Sequence, residues 1–196
     1  MINSLDISRY FIFRAYDDGR EALMTNMKAQ KLLYYAQSLA LALFEEPLFA
    51  EEIQAWRYGP VCPPAYRFYS EFEANQLPIP SRDELTKFPE EIQNLLDEVW
   101  DYFGEHHAYY LSGQTHLEFP WKKARRGLPE NAPSREPILL HDMKALGEQK
   151  LEEIERDHPI FQKVVPVLLK EAFAENIDRT YVKQGEVHDW LNSLLA

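Results

Sequence analysis

Apolar residues recur along this chain with the three-and-four spacing of helix faces. The densest run lies between Met27 and Phe44, where Leu32, Tyr35, Ala36, Leu39 and Leu43 mark one side. The opposite side carries Leu33, Tyr34, Ala40, Leu41 and Phe44, so the pattern predicts a helix buried all round, at the centre of its domain. Thr25 or Asn26 can cap its start by accepting from first-turn amides, while Lys28 denies Thr25 a capping box. Glu45, Glu46 and Pro47 end it, because a proline disfavours helical geometry in the residue before it.

After that stop, Ile53, Ala55 and Arg57 alternate with Gln54, Trp56 and Tyr58, which predicts a short β element near Leu48 to Tyr58. Gly59 and Pro60 are expected to break it. Pro63 and Pro64 are placed to open a further helix, since a first-turn proline gives up an amide that has no helical partner. Ala65, Tyr69 and Phe72 would form the inner stripe. Upstream, Ile7, Tyr10, Phe11 and Arg14 predict a helix over about Asp6 to Tyr16, capped by Ser4 or Asp6. Downstream, Ile92, Leu95, Leu96, Val99, Tyr102 and Phe103 predict one from Pro89, ended by Gly104. Tyr109 to Leu117 reads as a short helix and Phe119, Pro120 and Trp121 as an irregular crossing. Pro137 to Leu146 reads as another helix. Two more are expected at about Pro159 to Asn176 and Glu186 to Leu195.

Two blocks of this pattern resemble a known family. MTNMKAQKLLYYAQSLALALFEEPLFAEEIQAWRYGPVCPPAYRFY, from Met24, looks like the first signature of the Panacea domain, the SocA-like antitoxin family of bacteria and their phages. LSGQTHLEFPWKKAR, Leu111 to Arg125, is similar to its second signature, in which Leu-Ser precedes Thr-His and then Pro-Trp. The resemblance covers roughly Met24 to Leu146. It implies an antitoxin of a toxin-antitoxin system, a protein that binds a cognate protein toxin and suppresses it. Some SocA-like members act instead as adaptors that present the toxin to a protease.

Composition narrows the partners. The chain of 196 residues carries a net charge of −11, which disfavours DNA and favours a basic toxin. A homodimer is a further candidate. Cys62 is the only cysteine, so no intramolecular disulfide forms and a cytoplasmic location is expected. The N-terminus has no secretory pattern. Leu32 to Phe44, interrupted by Gln37 and Ser38, is too short to span a bilayer, so no membrane association is expected.

No catalytic, cofactor-binding or metal-binding residue is expected. His106, His107, His116 and Glu118 lack the one-turn histidine spacing of a metal pair and read as packed or solvated groups. His116, which the family signature contains, is expected to tie the turn between Thr115 and Trp121. Cys62 reads as a packed thiol. Lys122, Lys123, Arg125 and Arg126 form the only basic cluster and read as a solvated loop; an autoregulator binding its operon would use that cluster or the tail. Partner-binding candidates are Trp56, Tyr58, Pro60, Tyr66, His116, Trp121 and Trp190, because tyrosine and tryptophan are frequent interface anchors.

The architecture expected is therefore mainly α: a single helical domain with a short β element over 1–146, and a helical C-terminal appendage over 147–196. The appendage stripes, Phe161, Val164, Val165 and Leu168, then Val187, Trp190, Leu191 and Leu194, are too apolar for a disordered extension and are expected to set partner choice.

Overall fold

A computed structural model describes residues 2–157. They form α1 (Ser4–Asp17), α2 (Asn26–Phe44), β1 (Gln54–Trp56), β2 (Gly59–Val61), α3 (Pro63–Phe68), α4 (Glu90–Phe103), α5 (Ala108–Leu117), α6 (Phe119–Ala124) and α7 (Leu140–Asp157). The fold is mainly α with one two-stranded hairpin, as the apolar pattern predicts. The chain divides after Ile154, and Met1–Ile154 is the first compact unit. No helix among the described residues is long and apolar enough to cross a membrane. The helices expected beyond Pro159, and Trp190 with them, lie outside the described residues.

α2 is the axis of this unit, with α1, α4 and α5 packed around it. Every residue from Lys28 to Leu41 is buried, so its polar side chains must find partners inside the protein. Gln37 accepts from the amides of Leu48 and Phe49 at 2.9 and 3.2 Å and donates to the Phe49 carbonyl at 3.0 Å. That amide folds the 48–49 segment back onto the helix. Lys28 donates to the Gly104 carbonyl at the end of α4, with its ammonium 5.3 Å from the centre of the Trp100 ring. Burial lowers its pKa to about 8. Thr25 caps the start by accepting from the Lys28 amide, and Glu45 ends the helix in a left-handed conformation, φ 63°.

Several local expectations change. α1 is capped by Asn3 rather than Ser4 or Asp6: its side chain accepts from the Leu5 and Asp6 amides, and Asp6 accepts from the Asn3 amide. Ser4 is buried instead, its hydroxyl donating to Glu51 at 2.8 Å. The β element sits later than expected. Gly59 and Pro60, read as breakers, form β2, with Gln54 opposite Val61, Ala55 opposite Pro60 and Trp56 opposite Gly59. Arg57 and Tyr58 make the tight loop without positive φ; the left-handed residue is Gly59, φ 97°. Proline tolerates that place because it gives the ladder no amide, as at an edge strand. The other edge of β1 is covered by the 136–138 segment, where Ala55 donates to the Glu136 carbonyl and Ile138 to that of Ile53, both at 2.8 Å.

The stretch expected to cross irregularly at Phe119 to Trp121 is α6, since Pro120 sits in its first turn, where a missing amide costs nothing. The helix expected over Pro137 to Leu146 is α7, which begins at Leu140 and continues to Asp157. Gly147 explains how closely α7 approaches α2: a Cβ there would lie 2.0 Å from the Ser38 carbonyl oxygen and 3.0 Å from Ala42 Cβ. Gly147→Ala should therefore lower stability by about 1–3 kcal/mol, the usual cost of overpacking, although alanine is the better helix former. The midpoint of chemical unfolding followed by circular dichroism checks this; an unchanged or raised midpoint would mean that the two helices separate freely.

Candidate functional site

The hairpin is held from behind by side chains that take up its backbone carbonyls. Ser112 on α5 donates to Tyr58 at 3.0 Å, Trp121 on α6 donates its indole N–H to Trp56 at 2.8 Å, and Arg125 donates to Ala55 at 3.2 Å. Lys31 on α2 donates to Pro60 at 3.1 Å. His116 bonds the backbone of Arg57 and stacks on Trp121, ring centres 4.3 Å apart. Burial, with Lys31 nearby, holds this imidazole below its usual range, which favours the neutral ring. Gly59 is required where the hairpin meets α2, because a Cβ would come within 2.6 Å of Thr115 Oγ1 and 2.7 Å of Lys31 Nζ.

Arg125 is the deepest part of this clamp. It is 1 % exposed, lies 4.6 Å over the Trp121 ring and donates to the carbonyls of Pro129, Glu130 and Ala132 as well as Ala55. The expected basic loop therefore dissolves into separate roles. Lys123 pairs with buried Asp142 at 2.6 Å, Arg125 is structural, and Lys122 and Arg126 remain at the surface.

In front of the hairpin lies a groove of about 800 Å³. The N-terminal turns of α2, Asn26 to Lys31, line it, as do Trp56 and Tyr58 of the hairpin and Tyr66 of α3. Tyr109 at the start of α5 and the 133–135 loop complete it. Trp56 meets Tyr66 edge to face at 5.0 Å and donates its indole N–H to Gln54 at 2.8 Å. Tyr58 is 56 % exposed and Tyr109 69 %. Gln30 and Asn26 brace the wall: Gln30 accepts from the Cys62 amide at 2.9 Å and donates to Asn26 at 3.0 Å, and Asn26 donates to the Tyr66 carbonyl at 3.0 Å.

Of the residues expected to bind a partner, Trp56, Tyr58 and Tyr66 come together on this groove. Pro60, His116 and Trp121 belong to the support behind it, with Trp121 2 % exposed. Sequence reasoning missed Tyr109, Arg57, Arg135 and Lys31 as lining residues. For Lys31 the signal was available, as a charged residue inside a helix apolar on both sides. For Arg135, in a loop distant in sequence, there was none.

Cys62 is buried and its thiol pKa is pushed up by burial, which disfavours the thiolate. No cluster of three or more His, Cys, Asp or Glu that could hold a metal occurs among the described residues. At the start of α6, Glu118 accepts from the Tyr35 hydroxyl at 3.0 Å and pairs with Lys150 of α7 at 3.5 Å. Burial outweighs both and raises its carboxyl to about 7.

The fold and groove define a helical domain that presents a braced hairpin and an aromatic cleft. Residues 30–122, just under half of the chain, match the family model described as antitoxin SocA-like, Panacea domain. This stretch is thus similar to the Panacea domain of the SocA-like antitoxin family, over a span narrower than the Met24 to Leu146 of the resemblance. No curated protein matches the chain, and no solved structure matches it.

Two outcomes test the framework. Arg125→Met strands the buried Ala55 carbonyl and three part-buried ones and should cost about 2–4 kcal/mol, read as a lowered unfolding midpoint; an unaltered midpoint would mean that water replaces the guanidinium. The Glu118 carboxyl binds its proton more tightly folded than unfolded. Its contribution is fully present below its unfolded pKa, near 4.3, and is lost as pH rises through about 7. Between pH 5 and 7.5 stability should fall, and Glu118→Gln should flatten that slope; equal slopes in both proteins would place the titration elsewhere.

Proposed function

We propose that this protein is an antitoxin that neutralises its cognate toxin by direct binding, with the aromatic groove as its contact surface. The family's description implies a toxin partner and points to binding rather than catalysis. The observation that carries the location is the convergence of Trp56, Tyr58 and Tyr66 on one open cleft, flanked by Tyr109. Such rings combine large apolar area with a polar tip and lose little conformational freedom on binding, which suits interface anchors. The wall is braced from behind by buried hydrogen bonds, so docking would order little further backbone, and preorganisation of this kind favours affinity.

The test is co-expression with the product of the adjacent gene. Wild-type protein should restore growth, without help from a protease, and co-purify with that product. Rescue without any complex would overturn sequestration, and rescue lost only in a protease-deficient host would point to the adaptor reading. Trp56 is half-buried, so Trp56→Ala should remain folded by circular dichroism while binding weakens by about 2 kcal/mol or more, measured by calorimetry with the purified toxin. Full affinity in a folded Trp56→Ala protein would remove the groove from the interface.

A further inference from the structure

The groove opposes the charge of the chain that contains it. The whole protein carries −11, yet among its lining residues Lys31, Arg57 and Arg135 are basic and Glu73 alone is acidic. Lys31 is 1 % exposed and its ammonium donates to the Pro60 carbonyl. An ammonium has three N–H donors. Glu118 attracts it from a distance, but among the described residues no carboxylate forms an ion pair with it. Burial lowers its pKa to about 7, so Lys31 adds little fixed positive charge to the cleft and the standing cations are the two arginines. At the rim, Arg57 lies 5.0 Å from the centre of the Tyr58 ring. Arg135 is exposed in the loop that leads to the hairpin-edge segment. Neither arginine forms an ion pair among the described residues.

The same cleft carries the apolar rings of Trp56 and Tyr66. Its volume of about 800 Å³ falls in the upper part of the range for ligand pockets. Rim arginines and aromatic walls together select a chain segment with both acidic and apolar side chains.

We propose that the groove receives an extended segment of the toxin in which carboxylate side chains alternate with an aromatic or aliphatic anchor. The anchor packs on Trp56 and Tyr66, and the carboxylates face Arg57 and Arg135. This rests on the groove being the toxin-contact surface and adds the chemistry of what enters it. The two scales of charge act differently: the distant field of an acidic protein attracts a basic partner, whereas the local contacts fix which segment docks.

Fluorescein-labelled synthetic peptides of alternating Glu and Phe, and of alternating Lys and Phe, test this by fluorescence anisotropy with the full chain. Non-specific attraction to a protein of charge −11 would favour the lysine peptide, so the opposite preference cannot arise from net charge. The glutamate peptide should bind at least about tenfold more tightly, and Arg57→Glu/Arg135→Glu, folded by circular dichroism, should lose at least about tenfold of that affinity. Equal binding of both peptides, preference for the lysine peptide, or a glutamate preference unaffected by the double variant would each overturn the proposal. Co-purification separates it from the broader reading. If wild type holds the adjacent-gene product but shows no acidic preference, only the segment chemistry fails. If wild type holds no toxin, the antitoxin reading fails whatever the peptides do.

Discussion

A helix buried on every side has no surface on which to leave its polar residues, and this constraint on α2 organises the rest of the unit. Asn26, Lys28, Gln30, Lys31 and Gln37 are all buried, and each is satisfied by the backbone or side chain of a neighbouring segment. An unpaired buried donor costs about 1–3 kcal/mol, more when charged. Five such residues in one helix can be tolerated only where specific segments are laid against them. Gln37 therefore fixes the chain after the α2 stop, Gln30 and Asn26 fix the two ends of α3, Lys28 fixes the end of α4, and Lys31 fixes β2. Apolar packing around α2 supplies most of the burial, but it is indifferent to register. The polar contacts select one arrangement of neighbours among the many that would bury the same area.

The second signature block does for the hairpin what α2 does for the whole. A two-stranded hairpin of three residues a side is at best marginal alone, and this one has its carbonyls capped from one side by Ser112, His116, Trp121 and Arg125 and its open edge covered by the 136–138 segment. The similarity of Leu111 to Arg125 to a family signature thus has a structural content. Those residues hold a loop whose other face carries Trp56 and Tyr58. His116 and Trp121 shape the groove without lining it, and an aromatic residue in a signature need not be a contact residue.

Long apolar periods were legible in the sequence. α2 and α4 were read within a residue or so, because their stripes extend over about three turns and outweigh local exceptions. Elements set by polar contacts were not. Pro120 and Gly59 read as breakers because their intrinsic preferences are against helix and strand interiors, yet each sits at the one position where its preference is harmless. Arg125 read as part of a solvated basic run, since composition cannot show that four carbonyls from separate places converge on it. The groove was half legible. Its aromatic wall comes from one contiguous stretch, Trp56 to Tyr66, whereas its basic members come from α2, the hairpin loop and a loop near residue 135, which only folding brings together.

That separation bears on how charge should be read in a small acidic protein. Net charge describes the field at distances beyond a Debye length, about 8–10 Å in physiological salt, and there this chain repels acidic partners. Inside a cleft with low-dielectric walls the nearest groups dominate, because screening ions are largely excluded and Coulomb terms grow as the effective dielectric falls. A binding surface opposite in sign to its protein then combines two selections. The far field slows the approach of acidic chains in general, and only a segment shaped to enter the cleft reaches the cations within it. An interface built this way would discriminate by rejection at long range as well as by attraction at contact, the two arms that specificity usually requires.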